Sequence, residues 1–331
     1  MPFKKTVFRM SELKEIGGYL EFEHYSGVML HEEALKLNSA RNALAYLIKA
    51  KEIRKIILPK LLCDCIEDIC AEYGVQIRYY HVGFDFHPEQ VSSDQDEWVY
   101  IINFYGQLKD NEIRDLHTKY ERIIIDNAQA YFNDPIEGID TLYSCRKFLG
   151  VPDGGLLYTD AHIDETVEND LSHQKLAFLA GRLEKSASEF YDQYVINENH
   201  FYGDSLKLMS LFTENILHSF DYDHIRSVRE NNFKYLQSNL EGINQLNIVA
   251  PKGPFMYPLM VDKADELREY LISNKVYVPV LWKNVIEDNA ESTTEYSLAS
   301  KCIPLPVDQR YGIEDMKRIV ELINNKKGII S

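Results

Sequence analysis

Along the first half of the chain, short apolar runs alternate with stretches whose apolar residues recur every three or four positions, the pattern of a mainly parallel sheet covered by helices. Leu44, Leu47 and Ile48 follow Ser39, a suitable N-cap, and predict a helix. It gives way to a buried strand at Ile56, Ile57 and Leu58 that stops at Pro59. A second helix is expected over 64–73, closed by Gly74 at the C′ position. Strands are expected at 75–81, 99–104, 122–125, 141–143 and 156–159, with a helix at 111–120. From about 163 to 239 the strand signal yields to polar, helical sequence. Alternation returns at 255–261 and 276–280, ahead of a terminal helix at 313–323. The reading is an α/β protein: residues 1–220 form a large domain with its helical connection, and 221–331 form a smaller C-terminal α/β domain. With no repeat, low-complexity tract or Gly/Ser linker, the two parts are expected to pack together.

Composition narrows the function. A formal charge of −16 argues against wholesale binding to nucleic acid or an anionic membrane, since two polyanions gain nothing from counterion release. The five cysteines, at 63, 65, 70, 145 and 302, make no disulfide-like framework and read as reduced thiols of a cytoplasmic protein. No apolar run approaches a membrane span, and no signal-peptide pattern follows the two N-terminal lysines.

The chemistry concentrates where Ile123, Ile124 and Ile125 end in Asp126, Asn127, Ala128 and Gln129. A buried strand delivers polar groups at its carboxyl end, which in open α/β sheets faces the ligand crevice. Alone, Asp126 would read as a turn residue. The next strand leads into Ser144, Cys145, Arg146 and Lys147, and a glycine-rich turn then carries the chain back. A lysine amine beside a buried carboxylate is what pyridoxal 5′-phosphate (PLP) requires: the amine condenses with the aldehyde, and the carboxylate keeps the pyridine nitrogen protonated. The plainer reading of Lys147 is a surface lysine, and Ser144 and Arg146 fit a solvated loop equally well. A phosphate would suit the helix start at Asn38, Ser39, Ala40 and Arg41, where free N–H groups and the guanidinium attract an anion. Other motifs carry less. Ser144 and Lys147 match the spacing of a serine–lysine pair, but its companion tripeptides are missing. Cys63 and Cys65 are expected to point away from each other on one helix, so no metal site is assigned.

These residues together resemble the DegT/DnrJ/EryC1/StrS family of sugar aminotransferases, within the fold-type I PLP enzymes. The likeness runs through 38–44, 57–65, 102–106, 124–132, 144–155, 229–240, 277–282 and 305–320. It implies a large, mostly parallel seven-stranded sheet with a smaller C-terminal α/β domain, and a homodimer whose subunits complete each other's sites. Lys147 and Asp126 take the catalytic roles in this resemblance, and Gln129 lies against the cofactor ring or its phenolic oxygen. Ser144 and the amides of Ala40 and Arg41 hold its phosphate. Cys63 stands where relatives place a stacking aromatic ring, Ala40 where they place glycine, and no segment like their N-Y-R-M follows the lysine loop. The implied reaction moves an amino group, usually from glutamate, to a keto sugar carried on a nucleotide, as in polysaccharide biosynthesis. Alternatives are a PLP-dependent lyase or desulfurase acting on an amino acid, and a non-catalytic protein of the same fold.

Overall fold

The computed structural model describes residues 16–288, 290–326 and 328. Its strands are β1 (Leu35–Leu37), β2 (Lys55–Pro59), β3 (Gln76–Val82), β4 (Pro88–Glu89), β5 (Trp98–Ile102), β6 (Ile123–Asp126), β7 (Asp140–Ser144), β8 (Gly155–Tyr158), β9 (Met256–Met260) and β10 (Cys302–Pro306). The helices are α1 (Ala40–Ala50), α2 (Asp64–Glu72), α3 (Asp110–Tyr120), α4 (Ala177–Glu184), α5 (Tyr191–Asn199), α6 (Leu211–Leu217), α7 (Tyr222–Leu240), α8 (Ala264–Ser273), α9 (Lys283–Asp288), α10 (Thr294–Lys301) and α11 (Ile313–Asn324).

Among the described residues the larger sheet has eight strands in the order β1-β8-β7-β6-β5-β2-β3-β4. The expected seven fall one short because β4 is a two-residue arm pairing with the end of β3, too short to leave an alternating pattern. The run β7-β6-β5-β2-β3 is parallel throughout, and β8 and β1 add antiparallel strands beyond β7. Burial explains the sequence: β6 is inaccessible along its whole length, so it reads as unbroken isoleucine. Helix α1 packs on β7 and β8, α2 on β3, and α3 on β6.

The register brings distant segments to one edge. Ser144 pairs with Gly155, Gly155 with Leu37, and Ile102 with Asp126. The carboxyl ends of β1, β5, β6 and β7 and the start of β8 therefore share the edge that the switch in strand order between β2 and β5 opens to ligands.

The second sheet is the antiparallel pair β9-β10, packed with α7, α8 and α10, while α11 lies on α7 and α8. Here the sequence reading needs correction. Residues 276–280 form no strand, with Val276 and Val278 buried and Tyr277 exposed, and they join no ladder among the described residues. Their alternation is real; the backbone partner is missing. The partner of β9 is β10, where Pro304 faces Pro258, a pairing possible only because neither position needs to donate an N–H. Within the expected helical stretch lie α4, α5, α6 and nearly all of α7. Among the described residues no helix is long and apolar enough to cross a membrane.

Candidate active site

Asp126 ends β6 with its carboxylate buried. Tyr100 donates to its Oδ2 at 2.7 Å and the Ala128 amide to its Oδ1 at 2.7 Å. Burial raises its pKa above the usual carboxylate range, opposed by the charge of Lys147 and by these two hydrogen bonds. The carboxylate is thus held in place and forms no ion pair among the described residues, which suits it to a cation brought by a ligand.

Across the same edge, the start of α1 forms a cradle. Ser39 caps the helix by accepting from the Asn42 amide at 3.2 Å. Gly155 lies so close that a Cβ there would fall 2.2 Å from the Ser39 carbonyl and 2.5 Å from the Ala40 nitrogen. The Gly154 amide donates to the Asn38 carbonyl at 2.6 Å. Ser144 pairs with Gly155, so it lies one strand from the start of α1 on the same edge. The Arg41 guanidinium sits over the Tyr202 ring at 4.3 Å, and its buried Nη1 has no hydrogen-bond partner among the described residues. An orphaned guanidinium donor at a helix N-terminus fits an anion.

Lys147 lies on the β7–β8 loop and is exposed, its Nζ 5.8 Å from the centre of the Phe255 ring. Its charge reaches both Asp126 and Cys65. The loop is anchored from behind. Arg229, on α7 and fully buried, donates to the carbonyls of Phe148 at 3.0 Å and Pro254 at 2.9 Å, and to Gln309 Oε1 at 2.8 Å. Gln309 donates to the same Phe148 carbonyl at 2.8 Å. Gln129 is buried near Asp126, and its Oε1 accepts from the Tyr105 amide at 2.9 Å, at a residue with φ of 52°. The Gln129 side chain therefore also fixes a strained turn.

Several residues of this edge left no decisive sequence signal. Arg146, compatible with a solvated loop on sequence, is largely buried, paired with Glu198 of α5 and 4.3 Å from the Phe201 ring. Burial pulls its pKa down to about 10. Tyr100 looks like any aromatic residue of a strand. The reading of Cys63 and Cys65 also needs correction: Cys63 is the extended N-cap of α2, so it does not follow the helical rotation, and both thiols converge with Asp64. A second acidic cluster, Asp170, His200 and Asp204, is already neutralised, since Lys175 holds Asp170 and Lys207 holds Asp204.

No protein-family description and no curated protein matches the chain. Solved structures do. The sugar aminotransferase CalS13 from Micromonospora echinospora superimposes with a TM-score of 0.60 at 15% identity, over 88% of this chain and 87% of that one. A DegT DnrJ EryC1 StrS aminotransferase from Brucella abortus gives 0.57 at 13% identity, over 88% and 85%. Spr1654 from Streptococcus pneumoniae in its PLP form gives 0.63 at 14% identity, over 90% and 88%, and has also been solved in a PMP form. The chain therefore has the fold of sugar aminotransferases, with the α/β architecture of fold-type I PLP proteins.

Proposed function

We propose that the chain is a PLP-dependent aminotransferase that moves an amino group onto a keto sugar, with glutamate as donor and a nucleotide as the sugar's carrier. The observation that carries this is the convergence, at one sheet edge, of a buried carboxylate, a loop lysine and a helix N-terminus with an unpaired arginine donor. The residues fit the group. The α1 amides, Arg41 and Ser144 would hold its phosphate, Asp126 its protonated ring nitrogen, and Lys147 its aldehyde carbon. Cys63 and Gln129 would flank the ring. When bound, the cofactor supplies an electrophilic carbon and a ring that delocalises charge from the substrate.

Within that arrangement each residue of the chain has a separate task. Asp126, fixed by Tyr100 and Ala128, keeps its negative charge against the ring nitrogen, and a cation there removes the cost that burial imposes on the carboxylate. Lys147 would be the group that moves a proton at the substrate's amine-bearing carbon. Because the lysine is exposed in this chain, a bound ligand or a second subunit would have to shield it from water. The second copy is also the occupant suited to the exposed apolar side chains at Ile16, Tyr19, Leu20 and Val28 and at Leu183 and Ile196 of α4 and α5. On this reading residues 1–220 and 221–331 are the large and small domains of a cytoplasmic homodimer.

The visible spectrum of the PLP-loaded protein before and after glutamate tests the reading. Conversion to pyridoxamine phosphate is expected; product release without conversion would indicate a lyase, and no change a binding protein. Borohydride should fix the cofactor to Lys147, and mass mapping to a different lysine would refute that role.

A further inference from the structure

At the start of α2 two thiols are differentiated by their surroundings. Cys63 has φ of −78° and ψ of 134°, outside the helix, while Cys65 lies in its first turn. Their sulfur atoms and an Asp64 carboxylate oxygen all lie within 4.8 Å of one another. Cys63 Sγ donates to Asp64 Oδ1 at 3.2 Å, and the same oxygen accepts from the Cys65 amide at 2.8 Å. Cys63 is half-buried and Cys65 buried, both as free thiols.

The charged and titratable groups around them divide by side. Asp64 holds the Cys63 proton. The charges that face Cys65 are those of Arg41 from α1 and Lys147 from the β7–β8 loop, with the neutral phenols of Tyr100 and Tyr202 nearby. Two cations oppose a metal ion among these donors but favour a thiolate.

We propose that Cys63 and Cys65 are an oxidative modification site, a dithiol that a hydroperoxide converts to an intrachain disulfide at the edge of the lysine loop. Cys65 is the attacking group and Cys63 the resolving one. The neighbouring Cys63 thiol and the charges of Arg41 and Lys147 outweigh burial and bring the Cys65 pKa down to about 7, while that of Cys63 is raised by its proximity to Cys65 and by burial. The Cys65 thiolate attacks a peroxide oxygen, the O–O bond breaks, and the departing alkoxide or hydroxide takes up a proton. Sulfur is oxidised by two electrons to the sulfenic acid and the peroxide is reduced by two. Cys63 then loses its proton and attacks the Cys65 sulfur; the S–S bond forms, the S–O bond breaks, and hydroxide leaves as water. The sum is two thiols and one hydroperoxide giving one disulfide, one alcohol or water, and one further water. Oxidation removes the negative charge facing Arg41 and Lys147 and ties the cap of α2 to its first turn, so the site proposed above would change with redox state. The modification itself does not depend on that reading.

Purified full-length protein would be treated with limiting hydrogen peroxide, quenched with N-ethylmaleimide and mapped by mass spectrometry, with no cofactor needed for the readout. The peptide carrying both cysteines should lose two hydrogens, resist alkylation, and recover with dithiothreitol. In Cys63→Ser, oxidation should stop at a sulfenic acid on Cys65 that dimedone traps. Arg41→Gln should move the pH profile of the oxidation rate upward and slow the reaction near pH 7, because a cation that favours the Cys65 thiolate is removed. Failure of the wild-type peptide to form the disulfide, a dimedone adduct on Cys63 instead, or an unchanged rate profile in Arg41→Gln would overturn the assignment.

Discussion

Replacing Arg229 with methionine keeps much of its volume and removes every donor. In the parent the guanidinium reaches the carbonyls of Phe148, Pro254 and Phe255 and the amide oxygen of Gln309. The Phe148 carbonyl keeps the bond from Gln309, so the acceptors at Pro254, Phe255 and Gln309 lose their Arg229 bonds. A buried acceptor left unpaired costs about 1–3 kcal/mol. Part of that is returned, because the parent bears the cost of burying a cation, visible in an Arg229 pKa lowered to about 10 by desolvation. The net loss should be about 3–5 kcal/mol, as for a buried charge network broken at one member. Urea denaturation followed by tryptophan fluorescence measures it, Trp282 being buried and Trp98 half-buried. Arg229→Lys should recover less than half, since a single ammonium cannot reach three directions as the planar fork does. The Phe148 carbonyl follows Lys147 directly, so both variants should also retain PLP less well. A loss below about 1 kcal/mol in Arg229→Met would refute the claim that this side chain anchors the lysine loop.

Asp126→Asn should stabilise the cofactor-free protein near neutral pH while abolishing most aminotransferase activity. Its pKa is raised in the fold by burial, so its favourable contribution exists where it is protonated and is lost as pH rises through that folded-state value. The stability gap to the parent should therefore shrink as pH falls toward about 4, and urea midpoints showing the same gap at both ends would defeat the argument. Gly155→Ala should force β8 away from α1, because its Cβ would sit 2.2 Å from backbone atoms of Ser39 that cannot give way. A stability loss of about 3 kcal/mol or more is expected, with weakened phosphate retention, and thermal unfolding at the parent's temperature would contradict it.

Much of this edge was legible because strands announce where they end. Three isoleucines stopping at Asp126 mark a buried strand and its carboxyl end, and Lys147 follows the next strand by the same logic. Short pairings were not legible. β1 has three residues and β4 two, below the length at which alternation can be seen, and β10 carries two prolines that argue against a strand. Residues 276–280 erred the other way, since alternating burial needs no ladder. The convergence of Cys63 with Cys65 turns on one residue at a helix boundary, where sequence rules are least certain. Burial of Arg229 and Arg146 depends on contacts with segments far along the chain, which local patterns do not carry.

The pairing of β1 with β8 also sets an order of assembly. Leu35 meets Leu157 and Leu37 meets Gly155, so the loop that begins α1 cannot be seated until the ribosome has released the whole parallel core. Contacts this distant in sequence form late, because closing the intervening chain costs entropy before any contact repays it. A nascent chain ending before β8 contains Ser39, Arg41 and Asp126 but lacks the strand against which the proposed anion cradle closes. Competence to capture an anion should therefore arise in one step during synthesis, with the emergence of Gly154 and Gly155.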